Sequence, residues 1–391
     1  MKKVCFLVDS IFSIGGVQRV TAVIASALSK EFDVTIVTFD KPETKDISLY
    51  GLNEARLNYR FFSYPQISKA EKNICKAFSW LYLKYQPQSK WTSIIYGYSS
   101  FPPTLRRALT KELQSGHYDA IIGVHAPLAG RLATMKRSLN GVKTIGWVHN
   151  SFEALFGKKY LYIGYVRKRH YVYQFRRLDN VVLLCHHDTK SYNKYDPWIK
   201  PSVIYNPLTL KPGLSSNGTS KRFLAVGRFS KKHKGFDILI EAFHLFAQNE
   251  KEWKLDIVGG GEEEALYRGL IAKYNLNDRI TIHPFTNDIQ EFYSKAQVFV
   301  LSSRWEGFGL VLVEAMAHGL PVVSSDLPTS LEIMGDFGIY FKNEDISDLA
   351  NRLEESTHID WQKISKEAIQ IAHKFDITHI IEQWKSLLES K

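Results

Sequence analysis

Two glutamates eight positions apart, Glu306 and Glu314, flank a glycine-broken run, WEGFGLVLVEAMAHGLP (305–321), in which chemistry is more concentrated than elsewhere in the chain. Gly307 and Gly309 permit a tight turn and a close backbone approach to a ligand. The run LVLVEAMA after Gly309 favours a helix that stops at Gly319, with Pro321 beyond it. The N–H groups of Phe308, Gly309 and Leu310 are then expected to point ahead of the helix, with the positive end of its dipole behind them, which suits anionic or hydroxyl-rich ligands. Glu314 lies among apolar neighbours, where a carboxylate is seldom buried unless something binds it.

Cations come from VGRFSKKHKGFD (226–237). Arg228 directly follows an expected strand, and Lys234 precedes Gly235 and an expected helix. A planar guanidinium fork and a mobile ammonium suit phosphate oxygens, and together they could hold a diphosphate and stabilise it as a leaving group. Against this stands a solvated basic loop, which is all that Lys231 and Lys232 need be. Gly15-Gly16 follows the first expected strand and opens a helix, an arrangement that suits a phosphate, although glycine pairs also make ordinary turns. In VGGGEEE (258–264) the glycines could approach a nucleotide, while the glutamates read as complements to a helix dipole. His149 and His125 each close an expected strand, His149 being the stronger candidate; His186-His187 lacks a metal-ligand pattern.

These residues need a scaffold that gathers strand ends. KVCFLV (3–8), VTIVTF (34–39), DAIIGV (119–124), KTIGWVH (143–149) and NVVLLC (180–185) are continuous apolar runs separated by helical segments, the mark of a parallel sheet covered on both faces. A second series comprises RFLAVG (222–227), KLDIVG (254–259), RITIH (279–283), QVFVLS (297–302) and PVVSS (321–325). The Pro, Gly, Ser and Asn content of residues 206–220 marks a linker. The expected organisation is an N-terminal domain over 1–205, that linker, and a C-terminal domain over 221–374. A helix over about 375–391 packs back across. Two doubly wound α/β domains then face a central cleft, with ligands at the carboxyl ends of the strands.

With 391 residues, 45% of them hydrophobic, the chain has the composition of a globular protein. No apolar run approaches bilayer length. Asp9 ends the first apolar run too early for a signal peptide. Cys5, Cys75 and Cys185 fit neither a disulfide framework nor a zinc site and suggest a reducing cytoplasm. Residues 1–200 carry 30 Lys and Arg against 14 Asp and Glu, whereas residues 201–391 carry 21 against 26. The basic half is expected to meet something anionic. Residues 156–178 hold seven Lys/Arg, seven Phe/Tyr and no acid, and 69–85 have similar character. Both suit an anionic membrane surface; a core-packed helix with a charged outer face is the competing reading. No recognised nucleic-acid-binding motif appears.

Taken together, the motifs resemble the retaining, GT-B-fold glycosyltransferases of family 4. The likeness rests on Glu306 and Glu314 with GFGLVLV between them, on Gly227, Arg228, Lys234 and Gly235, on Gly15-Gly16, and on His149. It implies an EC 2.4 hexosyltransferase that needs neither metal nor cofactor. In that scheme Arg228 and Lys234 bind the donor diphosphate, Glu314 the ribose and Glu306 the donor sugar. The N–H groups of Phe308, Gly309 and Leu310 complete the site, the base sits near Phe285 and Thr286, Gly16 meets the distal phosphate and His149 approaches the sugar. The implied donor is a nucleotide sugar, commonly UDP-linked. The expected setting is the cytoplasmic face of the cell membrane, with a glycan acceptor carried on a lipid, as in capsule or envelope polysaccharide assembly. A nucleotide-sugar epimerase, a transferase for a soluble acceptor, and a basic nucleic-acid or membrane scaffold protein are the alternatives. The segment DLPTSLE (326–332) departs from the family pattern, which has a glycine-rich turn and Pro-Glu there.

Overall fold

Thirteen short strands form two all-parallel sheets in the computed structural model, which describes residues 1–85, 89–157, 162–210, 213 and 215–390; the side chains of Lys90, Lys231 and Lys232 lie outside the description. The first sheet contains β1 (Lys3–Val8), β2 (Asp33–Thr38), β3 (Leu57–Phe61), β4 (Ala120–Val124), β5 (Lys143–Trp147), β6 (Asn180–Leu183) and β7 (Pro201–Val203). Its order is β3-β2-β1-β4-β5-β6-β7. The second contains β8 (Arg222–Arg228), β9 (Lys254–Gly260), β10 (Ile280–His283), β11 (Val298–Leu301), β12 (Val322–Ser325) and β13 (Ile339–Phe341), in the order β10-β9-β8-β11-β12-β13. Central strands such as β4 and β11 are buried at every position. Helices on both faces account for their unbroken apolar character.

Each sheet starts in the middle, runs outward to one edge, then returns to the other side. Strand order therefore reverses between β1 and β4, and again between β8 and β11. At such a switch point the connections leave in opposite directions, and the carboxyl ends of the two strands are left uncovered for a ligand.

The chain divides into one unit of Met1–Pro207 with Ile377–Lys391, and another of Leu208–Asp376. In the first, the terminal helix Ile377–Glu389 is tied down by Trp384, which is fully buried with its ring centroid 4.8 Å from that of Trp147. Lys143 Nζ donates to the Leu387 and Ser390 carbonyls, each at 2.6 Å. In the second, the residues expected to act as a linker are engaged from Leu208 onward. Gly213 N lies 3.4 Å from His318 Nε2, and Ser216 Oγ donates to the Ala296 carbonyl. Rich in Gly, Ser, Asn and Pro, the segment forms neither helix nor strand of its own among its described residues, so its backbone and hydroxyl groups attach through such bonds. Residues 211, 212 and 214 of the expected linker lie outside the described residues.

Candidate functional site

The switch point of the second unit is where sequence-distant candidates converge. β8 ends at Gly227-Arg228, and β11 runs on into Ser302, Ser303, Arg304, Trp305 and Glu306. Lys234 closes a single helical turn, Lys231–Lys234, and folds back over the end of β8. A Cβ built on Gly227 would come within 3.0 Å of Lys234 Cε. Gly235 has φ 63°, and a Cβ there would be 2.1 Å from the Ser302 carbonyl oxygen. Only glycine fits that turn. Ser302 Oγ then donates to the Lys234 carbonyl at 2.9 Å, fixing the lysine's backbone.

So placed, Lys234 Nζ donates to Glu306 Oε1 at 2.5 Å, and Ser303 Oγ donates to the same oxygen at 2.7 Å. Glu306 is only 7% exposed. Burial alone would raise its carboxyl pKa, but the charge of Lys234, with a smaller contribution from His233, holds it well below the usual carboxylate range. His233 Nε2 is 3.7 Å from Oε1, beyond hydrogen-bond reach, and its ring stacks on Trp305. Oε2 accepts no hydrogen bond among the described residues. An ammonium has three donors, so the pair retains polar capacity on both sides.

Because the folded Glu306 pKa is depressed, the pair stabilises the fold fully above the carboxyl's unfolded pKa, and this contribution is lost as pH falls below that value. The stability gap between the native chain and Glu306→Gln, read from urea midpoints, is expected to be largest near about pH 7 and to shrink between about pH 5 and about pH 3. A gap that stays constant across that range would contradict the assignment.

An Arg304 clamp braces the loop from behind. Its guanidinium meets both Asp237 oxygens at 3.0 Å and Glu344 Oε1 at 2.7 Å, while its backbone N–H donates to the His233 carbonyl at 2.7 Å. The sequence reading missed Arg304 and Asp237. The signal available was a lone arginine beside the first glutamate and an aspartate directly after Lys-Gly-Phe, but nothing in one dimension pairs them.

Glu314 sits on the helix Leu310–Ala317, whose residues from Leu312 onward are all buried. Gly309 caps it in the left-handed region at φ 87°. Glu314 is 2% exposed; the Tyr293 hydroxyl donates to Oε2 at 3.0 Å, and Thr209 Oγ1 lies 3.4 Å from Oε1. These partners, also unforeseen from sequence, satisfy the buried carboxylate and fix its orientation. His318 completes the support: its ring stacks on Tyr293, and its Nδ1 is 2.8 Å from the Glu314 carbonyl. The Phe308 side chain is core, packed on Phe375, so only its backbone can face a ligand. Arg228 is exposed and has no ion pair among the described residues. Phe285 is 55% exposed just past β10, and Thr286 Oγ1 accepts from Asp288 N. In VGGGEEE, Gly259 and Gly261 serve close packing, since a Cβ on Gly259 would fall 1.9 Å from the Gly227 carbonyl oxygen and one on Gly261 2.6 Å from the Phe229 carbonyl oxygen, whereas Gly260 faces open space. DLPTSLE turns without glycine because Pro328 starts the helix Pro328–Met334.

In the first unit, Gly15 and Gly16 open the helix Gly16–Leu28 that follows β1, and its first turn carries no acid. Gly15 N donates to the Tyr50 hydroxyl at 2.9 Å. His149 lies two residues past β5, is 7% exposed, and its Nε2 has no hydrogen-bond partner among the described residues. Burial, then the nearby His125, hold its pKa well below the ordinary histidine value, so the ring is neutral. The His125 and His149 ring centroids are 5.3 Å apart, and His125 has φ 72° and ψ 151°, a conformation that strains any residue but glycine.

Among its described residues the basic–aromatic segment 156–178 has one buried face, while Arg167, Lys168, Arg169, Arg176 and Arg177 are exposed or half-buried. Its helix Tyr165–Phe175 buries His170, Val172, Gln174 and Phe175, and residues 158–161 lie outside the described residues. Exposed aromatic and aliphatic side chains concentrate instead on residues 74–98.

Two doubly wound units, with the Lys234–Glu306 pair at the switch point of the second, define the class of GT-B sugar-transfer folds. Comparison with known proteins agrees with the geometry. The family model Glycosyltransferase Family 4 matches residues 14–211, and Glycosyl transferases group 1 matches residues 209–375. The chain belongs to glycosyltransferase family 4. It is 27% identical to an uncharacterized glycosyltransferase of Haemophilus influenzae, over 99% of this chain and 100% of the relative. It is 26% identical to the amylovoran biosynthesis glycosyltransferase AmsD of Erwinia amylovora, over 99% and 100%. Among solved structures, HepE of Anabaena in complex with UDP-glucose superposes with a TM-score of 0.75 at 19% identity, covering 100% of both chains. That likeness carries the GT-B fold.

Proposed function

We propose that this chain transfers a hexose from a UDP-sugar to a growing glycan in cell-surface polysaccharide synthesis, with retention of anomeric configuration and without a metal. The observation that carries this reading is the buried Lys234–Glu306 pair at the β8/β11 switch point. UDP-glucose is bound by HepE, and AmsD serves amylovoran biosynthesis; both favour this donor and process over the alternatives. Arg228 and Lys234 take the diphosphate oxygens, with the N–H groups of Phe308, Gly309 and Leu310 beside them. Glu314 accepts the ribose hydroxyls. Glu306 accepts sugar hydroxyls through Oε2 and stabilises positive charge that develops at the anomeric carbon. Phe285 and Thr286 are assigned the base; Gly15, Gly16 and His149 keep the phosphate and sugar roles that the resemblance implies.

The acceptor oxygen bonds to the anomeric carbon as the bond from that carbon to the phosphate oxygen breaks. The departing diphosphate takes the acceptor proton on the same face. Positioning and charge supply the rate. A lipid-linked acceptor at the cytoplasmic face of the membrane fits the basic N-terminal half; among the described residues no helix is long and apolar enough to cross a membrane. Incubating the protein with UDP-glucose and a panel of UDP-sugars, with and without a lipid extract, tests the proposal. Transfer to lipid-linked glycan with the donor's anomeric configuration, read by NMR, is expected. Inverted product, epimerised free donor, or labelling of soluble acceptor alone would overturn the corresponding part.

A further inference from the structure

Among the described residues three helices lie between β3 and β4, and only the last contributes to the core under the sheet. Leu105, Leu109 and Leu113 of Pro103–Ser115 belong to the core cluster of the first unit. The preceding two, Lys69–Tyr85 and Lys90–Ser100, contribute no residue to that cluster. They pack on each other through Tyr82 stacked on Tyr96, 4.2 Å between centroids, and Ser79 Oγ donating to Ser99 Oγ at 3.0 Å.

These two helices turn apolar side chains outward. Ile74, Phe78, Leu81 and Tyr85 follow a spacing of four, three and four residues, which places them on one stripe of the helix. They are 58%, 48%, 42% and 67% exposed. The second helix repeats the device with Trp91 at 74% and Ile95 at 49%. Scattered exposed apolar residues are ordinary, but periodic rows on two adjacent helices are not.

The charge around the stripe has one sign. Lys69, Lys72, Lys76 and Lys84 are all exposed or partly so. The one acid of the first helix, Glu71, is tied to Thr104, accepting from its N–H at 2.8 Å and its hydroxyl at 2.5 Å. The second helix has no acid. Lys84 Nζ lies over the Trp80 ring at 4.6 Å and the Tyr85 ring at 5.2 Å, a cation resting on interfacial aromatics.

We propose that the helices Lys69–Tyr85 and Lys90–Ser100 form a membrane-docking element that lays its apolar rows into a bilayer surface bearing anionic headgroups, with the lysines of the first helix on those headgroups. A bilayer meets both features, since it takes up apolar side chains and attracts cations at one surface. A second copy of the chain would set lysine against lysine. The inference refines the membrane part of the proposed function and rests on it in that respect alone.

The test is flotation of the full chain with phosphatidylcholine vesicles, with and without phosphatidylglycerol, at low and high salt. The native protein is expected to float with the anionic vesicles at low salt and to be released by salt. The variant Phe78→Ser/Leu81→Ser/Trp91→Ser is expected to bind at least about tenfold more weakly, because three side chains no longer bury apolar surface in the bilayer. Its melting temperature and its stabilisation by UDP-glucose should match the native values. If the triple variant does not fold, Trp91→Ser alone, with quenching of native fluorescence by brominated phosphatidylglycerol, gives the same reading. Native protein that does not float, a variant that floats equally well, or a dimer lost in the variant without flotation would overturn the proposal. A preparation stabilised by UDP-glucose that fails to float sinks the docking element alone; one that floats but ignores nucleotide sugars sinks the enzymatic reading alone.

Discussion

Replacing Lys234 with alanine is expected to lower transfer by about a hundred- to a thousandfold, the usual loss when a preorganised donor to a developing anion is removed. The lysine is a largely buried cation at the switch point, pinned by Gly235 and Ser302 and held 2.5 Å from Glu306. In the proposed mechanism its charge neutralises the leaving diphosphate as the sugar–oxygen bond breaks, so the loss should fall mainly on kcat. The substitution also leaves Glu306 buried without its cation, and a carboxylate in that position costs stability. The urea midpoint must therefore be measured alongside the rate. Lys234→Arg keeps the charge but not the compact ammonium, and should recover stability better than activity. Native activity in folded Lys234→Ala would remove the lysine from the mechanism.

Glu314→Gln is expected to weaken nucleotide binding by roughly 1.5–3 kcal/mol, the range for hydrogen bonds to a charged group, or about tenfold to more than a hundredfold. The ribose offers two hydroxyl donors, and a carboxylate can accept both. An amide replaces one acceptor with a donor. The effect should appear in the dissociation constant for UDP more than in kcat, because ribose contacts change little between ground and transition state. Tyr293→Phe provides the control. It removes the hydroxyl that orients Oε2 while leaving the carboxylate, so its loss should be smaller. If Glu314→Gln bound UDP as the native chain does, the ribose assignment would be withdrawn.

Much of this site could be read from the sequence because its parts are local. The spacing of Glu306 and Glu314 around Gly309, and of Arg228 and Lys234 around one turn, places each residue relative to a strand end or a helix start within a few positions. The buried strands β1, β4, β8 and β11 were legible as unbroken apolar runs. β3 was not: LNYRF alternates and lies at a sheet edge, where no continuous apolar run is required. β7 and β13, at three residues each, are too short to carry a pattern. The supporting contacts were equally invisible. Arg304 with Asp237 spans 67 positions, and Tyr293 with Glu314 spans 21; such pairs arise only when the fold brings sequence-distant elements together. The segment 156–178 shows what composition alone leaves open. Its composition suggests a surface, yet Val172 and Phe175 face the core, because composition reports how many apolar residues a helix has and not which way they point.

The most direct test of the central claim is a crystal structure of the chain with UDP-glucose or a hydrolysis-resistant analogue. The account predicts diphosphate oxygens within hydrogen-bond distance of Lys234 Nζ and the Arg228 guanidinium, with ribose hydroxyls on Glu314. A diphosphate bound elsewhere, with Lys234 paired only to Glu306 and no ligand atom on Glu314, would contradict it.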